Sequence, residues 1–334
     1  MPHAEARRKK TTGERIHSMD INKMRHSDKS WYKNFFANSK LVQLKSEYVY
    51  PVEWRGKTSK NSFCFGNPTS QAGAFAILKN IFPFINEIKF HQATNGNGHE
   101  WKRITRLHSS SLLAFLMFSQ ISEKHRLVVK INGRDEEFTD VRFEVKNWIE
   151  NNDTHPSNVD VVLANNTTVL FIESKFTEYL CRGRKSADIS VERYGKRFWE
   201  LFNEFQGIQC KTDREKSTLR LISSDEESHY IEGLKQVVAH YMGLEYASRN
   251  GWFGQDREAR NGRCLCFAEV LFDFKDKKSL EALNDYDTLY QRFVEKLPVR
   301  NDIFVCPKIM TYHDLFKGFN VEESTRQFYG FDFN

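Results

Sequence analysis

The sequence predicts a globular α/β or α+β fold, and three observations predict it. Apolar runs of strand length cluster between residues 125 and 176 and return at 263–274. Segments with apolar residues at helical spacing stand before and between those runs. Polar stretches rich in Gly, Asn, Asp and Ser separate the two kinds of segment. At 334 residues the chain can bury a substantial core, and its 28 Phe supply a Phe-rich interior.

In chain order, residues 1–28 are polar, include "RRKK" and lack periodicity, which predicts a disordered basic tail. Residues 29–98 form a mixed extension in which "SQAGAFAILKNIFPFINEI" predicts a helix interrupted by Pro83, followed by a loop at "HQATNGNGHE". Residues 99–275 hold the central elements. Ser109 or Ser110 can cap a helix whose face runs from Leu112 to Phe118. Two β-like runs, "HRLVVKI" and "EEFTDVRFEVKNW", precede a hairpin at Asn158–Phe176. Ile231, Leu234, Val237, Val238, Tyr241 and Leu244 repeat at helical spacing, and "RCLCFAEVLFDF" returns to strand. Residues 276–334 form a mixed extension expected to pack on the core.

Composition excludes several classes. No run of about 18 apolar residues is present and the amino terminus lacks an apolar core, so neither a membrane span nor a secretory signal is expected. A cytoplasmic protein with reduced thiols follows, since the six cysteines show no zinc-site spacing. The net charge of +6 permits a polyanionic partner without demanding one.

The hairpin carries the chemistry. A tight turn at Asn166 and Thr167 pairs Ala164 with Val169 and Val162 with Phe171, and it places Asp160 opposite Glu173. Lys175 then shares the Glu173 face, while Val161, Leu163, Leu170 and Ile172 form the other. Like charges opposed on a sheet are destabilising unless something cationic neutralises them. A divalent ion with hard oxygen ligands does so, which points to Mg²⁺, with Mn²⁺ as substitute. Six tripeptides of the form [DE]-x-K occur, beginning at Glu87, Glu100, Glu144, Glu173, Asp273 and Asp276. Only Glu173 has both an apolar strand and an opposing Asp.

Asp160 followed by Glu173-Ser174-Lys175 resembles the active-site motif of the PD-(D/E)XK nuclease superfamily. Phrases such as "RLHSSSLLAF", "IESKFTEYL" and "GLKQVVAHYMGL" are similar to divergent bacterial members, which implies an α/β restriction-endonuclease-like core with a mixed central β-sheet of four or more strands flanked by helices. Here Pro156 stands four residues before Asp160 rather than beside it. The resemblance implies a metal-dependent deoxyribonuclease in which Asp160 and Glu173 hold the metal and Lys175 assists the attacking water. Glu144 and Gln236 are additional candidates, the latter because Gln236 and His240 resemble a Gln-x-x-x-Tyr helix motif with His in the Tyr position. Arg182, Arg184, Lys185, Arg193, Lys196 and Arg197 are candidate contacts to a DNA backbone. RNA as substrate, a non-catalytic nucleic-acid-binding role and a homodimer stay open.

Overall fold

The computed structural model describes residues 35–331 apart from 37, 55–56, 96–99, 150–155, 181–185, 191–196, 199, 202–207, 214–217 and 224–230. The basic tail therefore lies outside the described residues. The central sheet has six strands: β1 (Asp140–Asn147), β2 (Ser157–Ala164), β3 (Thr168–Lys175), β4 (Cys264–Leu271), β5 (Ile303–Val305) and β6 (Met310–Thr311). Their spatial order is β5-β4-β3-β2-β1, with β6 also pairing with β4. The three strands β1, β2 and β3 are antiparallel neighbours, whereas β4 runs parallel to β3, β5 and β6. This is the mixed sheet that the resemblance implies.

Helices cover both faces. The helix α1 (Ser110–Phe118) starts where Ser109 accepts a hydrogen bond from the Leu112 N–H, and every residue from Leu112 to Phe118 is buried. It packs in one core with Val161, Leu163, Leu170 and Ile172 of the hairpin. On the opposite face, helices α2 (Ile231–Asn250) and α3 (Lys277–Val294) share a second core with Val162, Val169, Phe171 and Phe267. A sheet buried on both faces needs apolar side chains at successive positions, which is why the hairpin strands read as unbroken apolar runs.

The period-two alternation slips at one level of the sheet. Val159 packs with Val162 instead of Val161, and on the next strand Val145 joins the second core although Val141 and Phe143 lie in the first. The residues at the slips are Asp160 and Glu144, which sit between the same two ladder pairs, Phe143–Val161 and Val145–Val159. Glu144 has φ of +50°, a left-handed conformation that costs a residue with a Cβ about 1–3 kcal/mol. Two carboxylates are thereby re-aimed together.

Several expectations change at the boundaries. Pro83 does separate two helices, Gln71–Ile81 and Glu87–Thr94, each with its own cap at Ser70 and Asn86. The second helix runs through His91–Thr94, read from the sequence as loop, because Phe90, Ala93 and Thr94 are buried. The run "EEFTDVRFEVKNW" divides between a hairpin of Leu127–Ile131 with Arg134–Phe138 and strand β1. Phenylalanines fill the interior by edge-on contacts, as between Phe176 and Phe272 at 5.0 Å. Cys264, Cys266 and Cys306 carry free thiols, and the Cys264 and Cys266 sulfurs lie 3.7 Å apart on one strand face. No described helix is long and apolar enough to cross a membrane.

Candidate active site

The turn between β2 and β3 is held by Asn165, whose Oδ1 accepts from the N–H groups of Thr167 and Thr168. From Ala164–Val169 to Val161–Ile172 the register is the one the sequence predicts. Beyond Val161 it departs. Asp160 is not a described ladder partner of Glu173; its Oδ2 accepts a hydrogen bond from the Ser174 N–H at 2.7 Å. A carboxyl oxygen that accepts from a peptide N–H gains a hydrogen bond, whereas a carboxylate facing a second carboxylate gains only repulsion. The alternation slip at Asp160 accompanies this exchange.

Glu173 is the hub. Its Oε1 accepts from Lys175 Nζ at 2.6 Å and from Gln236 Nε2 at 2.8 Å, and its Oε2 lies 2.9 Å from His240 Nε2. Lys175 Nζ also donates to Gln236 Oε1. Gln236 and His240 are one helical turn apart on α2, so a single face delivers both to the sheet. An imidazole protonated at Nε2 satisfies both contacts of His240, donating to Glu173 and accepting at Nδ1 from the Ser157 hydroxyl. The ring also stacks on Phe267. The site thus uses β2, β3, β4 and α2.

The electrostatics divide the carboxylates into two kinds. Burial opposes the Glu173 charge, but Lys175 and His240 outweigh it and hold the carboxyl down at about 2. The carboxylates around Lys175, Glu173 foremost, keep its ammonium charged against the opposing effect of burial. Asp160 is pushed well above the carboxylate range by burial and then by Glu173 and Glu144, with Lys175 opposing. Burial, Glu100 and Glu173 raise Glu144 to about 8. Glu173 and Lys175 are 4% and 6% exposed, whereas Glu144 and Asp160 are half-buried. One ion pair is therefore sealed inside, and two under-compensated acids stand at its mouth.

Sequence reasoning missed Glu269. It lies in β4 in register with Glu173, fully buried, and both its oxygens accept from the Tyr286 hydroxyl. Burial, against the pull of Lys175 and Tyr286, raises it to about 7. The signal was the same one that revealed Asp160 and Glu173: a carboxylate inside the apolar run "CLCFAEVLF". Tyr286 reaches it only because residue 233 is glycine, where an added Cβ would stand 2.2 Å from the Tyr286 oxygen. Gly233→Ala is expected to destabilise the fold by about 1–3 kcal/mol through overpacking, measured by urea unfolding. Gly233→Ala combined with Tyr286→Phe should recover part of that loss. No recovery would place the strain elsewhere.

The basic residues read from the sequence separate. Arg182, Arg184, Lys185, Arg193 and Lys196 lie outside the described residues. Arg197 makes a two-pronged ion pair with Glu245 of α2, so its charge is engaged within the fold.

A mixed α/β sheet with buried carboxylates and a lysine on its central hairpin, one helix closing the cluster, defines the class of architecture. Residues 25–269, more than half of the chain, match the family model REase-ARP, described as restriction endonuclease associating with ARP, and the chain belongs to that family. No curated protein and no solved structure matched.

Proposed function

We propose that the protein is a Mg²⁺-dependent nuclease of PD-(D/E)XK type that hydrolyses phosphodiester bonds of DNA. The observation that carries this reading is Lys175 fixed between Glu173 and Gln236, close beside the Asp160 carboxylate. Membership of a restriction-endonuclease family supports DNA as the substrate. A module that only bound nucleic acid would gain nothing from half-buried acids that repel phosphate.

The donor set suits a hard divalent cation. Asp160, Glu144 and Glu173 offer carboxylate oxygens, and Glu173 accepts three hydrogen bonds where a carboxylate has about four acceptor sites. Among the described residues no three such side chains form a ready-made metal cage. Mg²⁺ is commonly held by one or two carboxylates, with waters and substrate phosphate completing its shell. Asp160 and Glu173 would hold the ion. When bound it would supply Lewis-acid polarisation and an activated water.

The protein's own groups do the rest. The Lys175 ammonium offsets negative charge building on the phosphoryl oxygens and orients the attacking water. Gln236 accepts from that ammonium and fixes its direction. His240, braced by Ser157, locks Glu173 so that neither member of the pair can swing away.

The test is incubation of supercoiled and linear DNA with Mg²⁺ or chelator. Metal-dependent cleavage of either form is expected, and failure to cleave any DNA overturns the reading. Independently of cleavage, Mg²⁺, Mn²⁺ or Ca²⁺ should stabilise the wild type by about 2.7 kcal/mol at a hundredfold excess over its dissociation constant. Asp160→Asn should lose most of that gain in a thermal-shift titration. Equal stabilisation of both proteins would remove Asp160 from the metal site.

A further inference from the structure

We infer that the cleft beside Glu144 receives one unpaired nucleotide of a DNA strand, its base lying among the side-chain amides of Gln92, Asn95 and Gln255. This rests on the nuclease reading and specifies the substrate of that same site. Access is the first argument. Glu173 and Lys175 are buried, so a substrate reaches them from the side where Glu144 and Asp160 surface. Glu144 also lines a cleft of about 380 Å³ between the edge strand β1, the end of the Glu87–Thr94 helix and the turn at Phe253–Asp256. The site and the cleft share a side chain.

Size is the second argument. The volume falls near the lower end of small-molecule clefts, roughly 300–1,000 Å³, so it admits one nucleoside. A duplex cannot enter, and a base reaches such a space only when unstacked from its neighbours.

Charge and hydrogen bonding are the third. In the lining Asp256 offsets Lys146, and Arg142 is paired with Glu258 just outside it. A lining without net charge is not a phosphate cradle. Its amides, however, offer donors and acceptors together, the pairing that nucleobase edges present. Gln255 uses its Oε1 to accept from the Lys146 N–H, and Asn95 uses its Oδ1 to accept from Gln71, which among the described residues leaves both NH₂ groups for a ligand. The Gln92 side chain is exposed and makes no hydrogen bond among the described residues.

The experiment uses the Asp160→Asn protein in chelator, where cleavage cannot confuse binding. A single-stranded oligonucleotide carrying 2-aminopurine and its fully paired duplex are titrated by fluorescence. The single strand should bind about tenfold or more tightly than the duplex, the scale of a good base contact. Gln92→Ala with Gln255→Ala should abolish that preference. Gln255→Glu, which keeps the acceptor for Lys146 but exchanges the donor for a negative charge, should weaken single-strand binding more than duplex binding while leaving melting unchanged. Equal affinity for strand and duplex, or a preference that survives these substitutions while wild type still cleaves DNA, overturns the cleft alone. Absence of both DNA binding and cleavage overturns the nuclease reading and the cleft with it. Tenfold tighter binding of an RNA strand of the same sequence overturns the assignment to DNA.

Discussion

Lys175→Ala is expected to lower DNA cleavage by about 10²-fold or more, the scale for removing one preorganised electrostatic group, while DNA affinity stays within a few-fold. The same substitution should cost stability. Lys175 and Glu173 form a buried pair at 2.6 Å, and Gln236 and His240 are arranged around its charge. Deleting one member of a buried pair strands the other, at a cost of about 3–5 kcal/mol. The stranded Glu173 should then titrate at higher pH than in wild type. Retained affinity separates lost chemistry from lost fold. A variant that cleaves near the wild-type rate would end the assignment of Lys175, and one that melts like wild type would show the pair to be solvated.

The second large effect reverses an expectation drawn from the sequence. If Asp160 and Glu173 simply repelled each other, Glu173→Gln would melt higher than wild type in chelator. The structure predicts the opposite. Glu173 is held down at about 2 by Lys175 and His240, so its charge contributes stability that is present above the unfolded carboxyl pKa of about 4.3. That contribution is lost as pH falls toward 2. Glu173→Gln should therefore melt below wild type at neutral pH, with the gap closing under acid. Glu144 behaves inversely. Its folded pKa of about 8 exceeds the unfolded value, so its ionisation costs stability as pH rises from about 4.3 through 8. Glu144→Gln should melt higher than wild type in chelator at neutral pH, with the advantage disappearing below pH of about 4. Differential scanning fluorimetry of both variants across that range decides it. A Glu173→Gln protein that melts above wild type would restore the simple repulsion.

Much of the hairpin was legible because its physics is local. A two-residue turn sets the register, and a period of two sets the faces, so Val162, Val169 and Phe171 fall in one core and Val161, Leu163, Leu170 and Ile172 in the other as expected. The α1 helix was legible for the same reason: its cap and apolar run are adjacent in sequence. Gln236 was noticed through a motif, but its bonds to Glu173 and Lys175 span more than sixty residues. No spacing rule reports such a distance.

What the amino-acid sequence determined by itself is the alternation of strands and helices, the buried hairpin and the presence of carboxylates and a lysine where a core should be apolar. Those follow from periodicity and from the cost of burying charge, which any single strand displays. Only the tertiary structure decided which charges meet. The left-handed backbone at Glu144 and the slip at Asp160 turn two acids out of the pattern that alternation assigns them, and β4 brings Glu269 beside Glu173 from almost a hundred residues away. Whether a buried carboxylate is paired or exposed to repulsion depends on neighbours contributed by other strands and by α2. For that reason the sequence located the buried cluster of carboxylates and lysine, and the packing of distant elements set its charge.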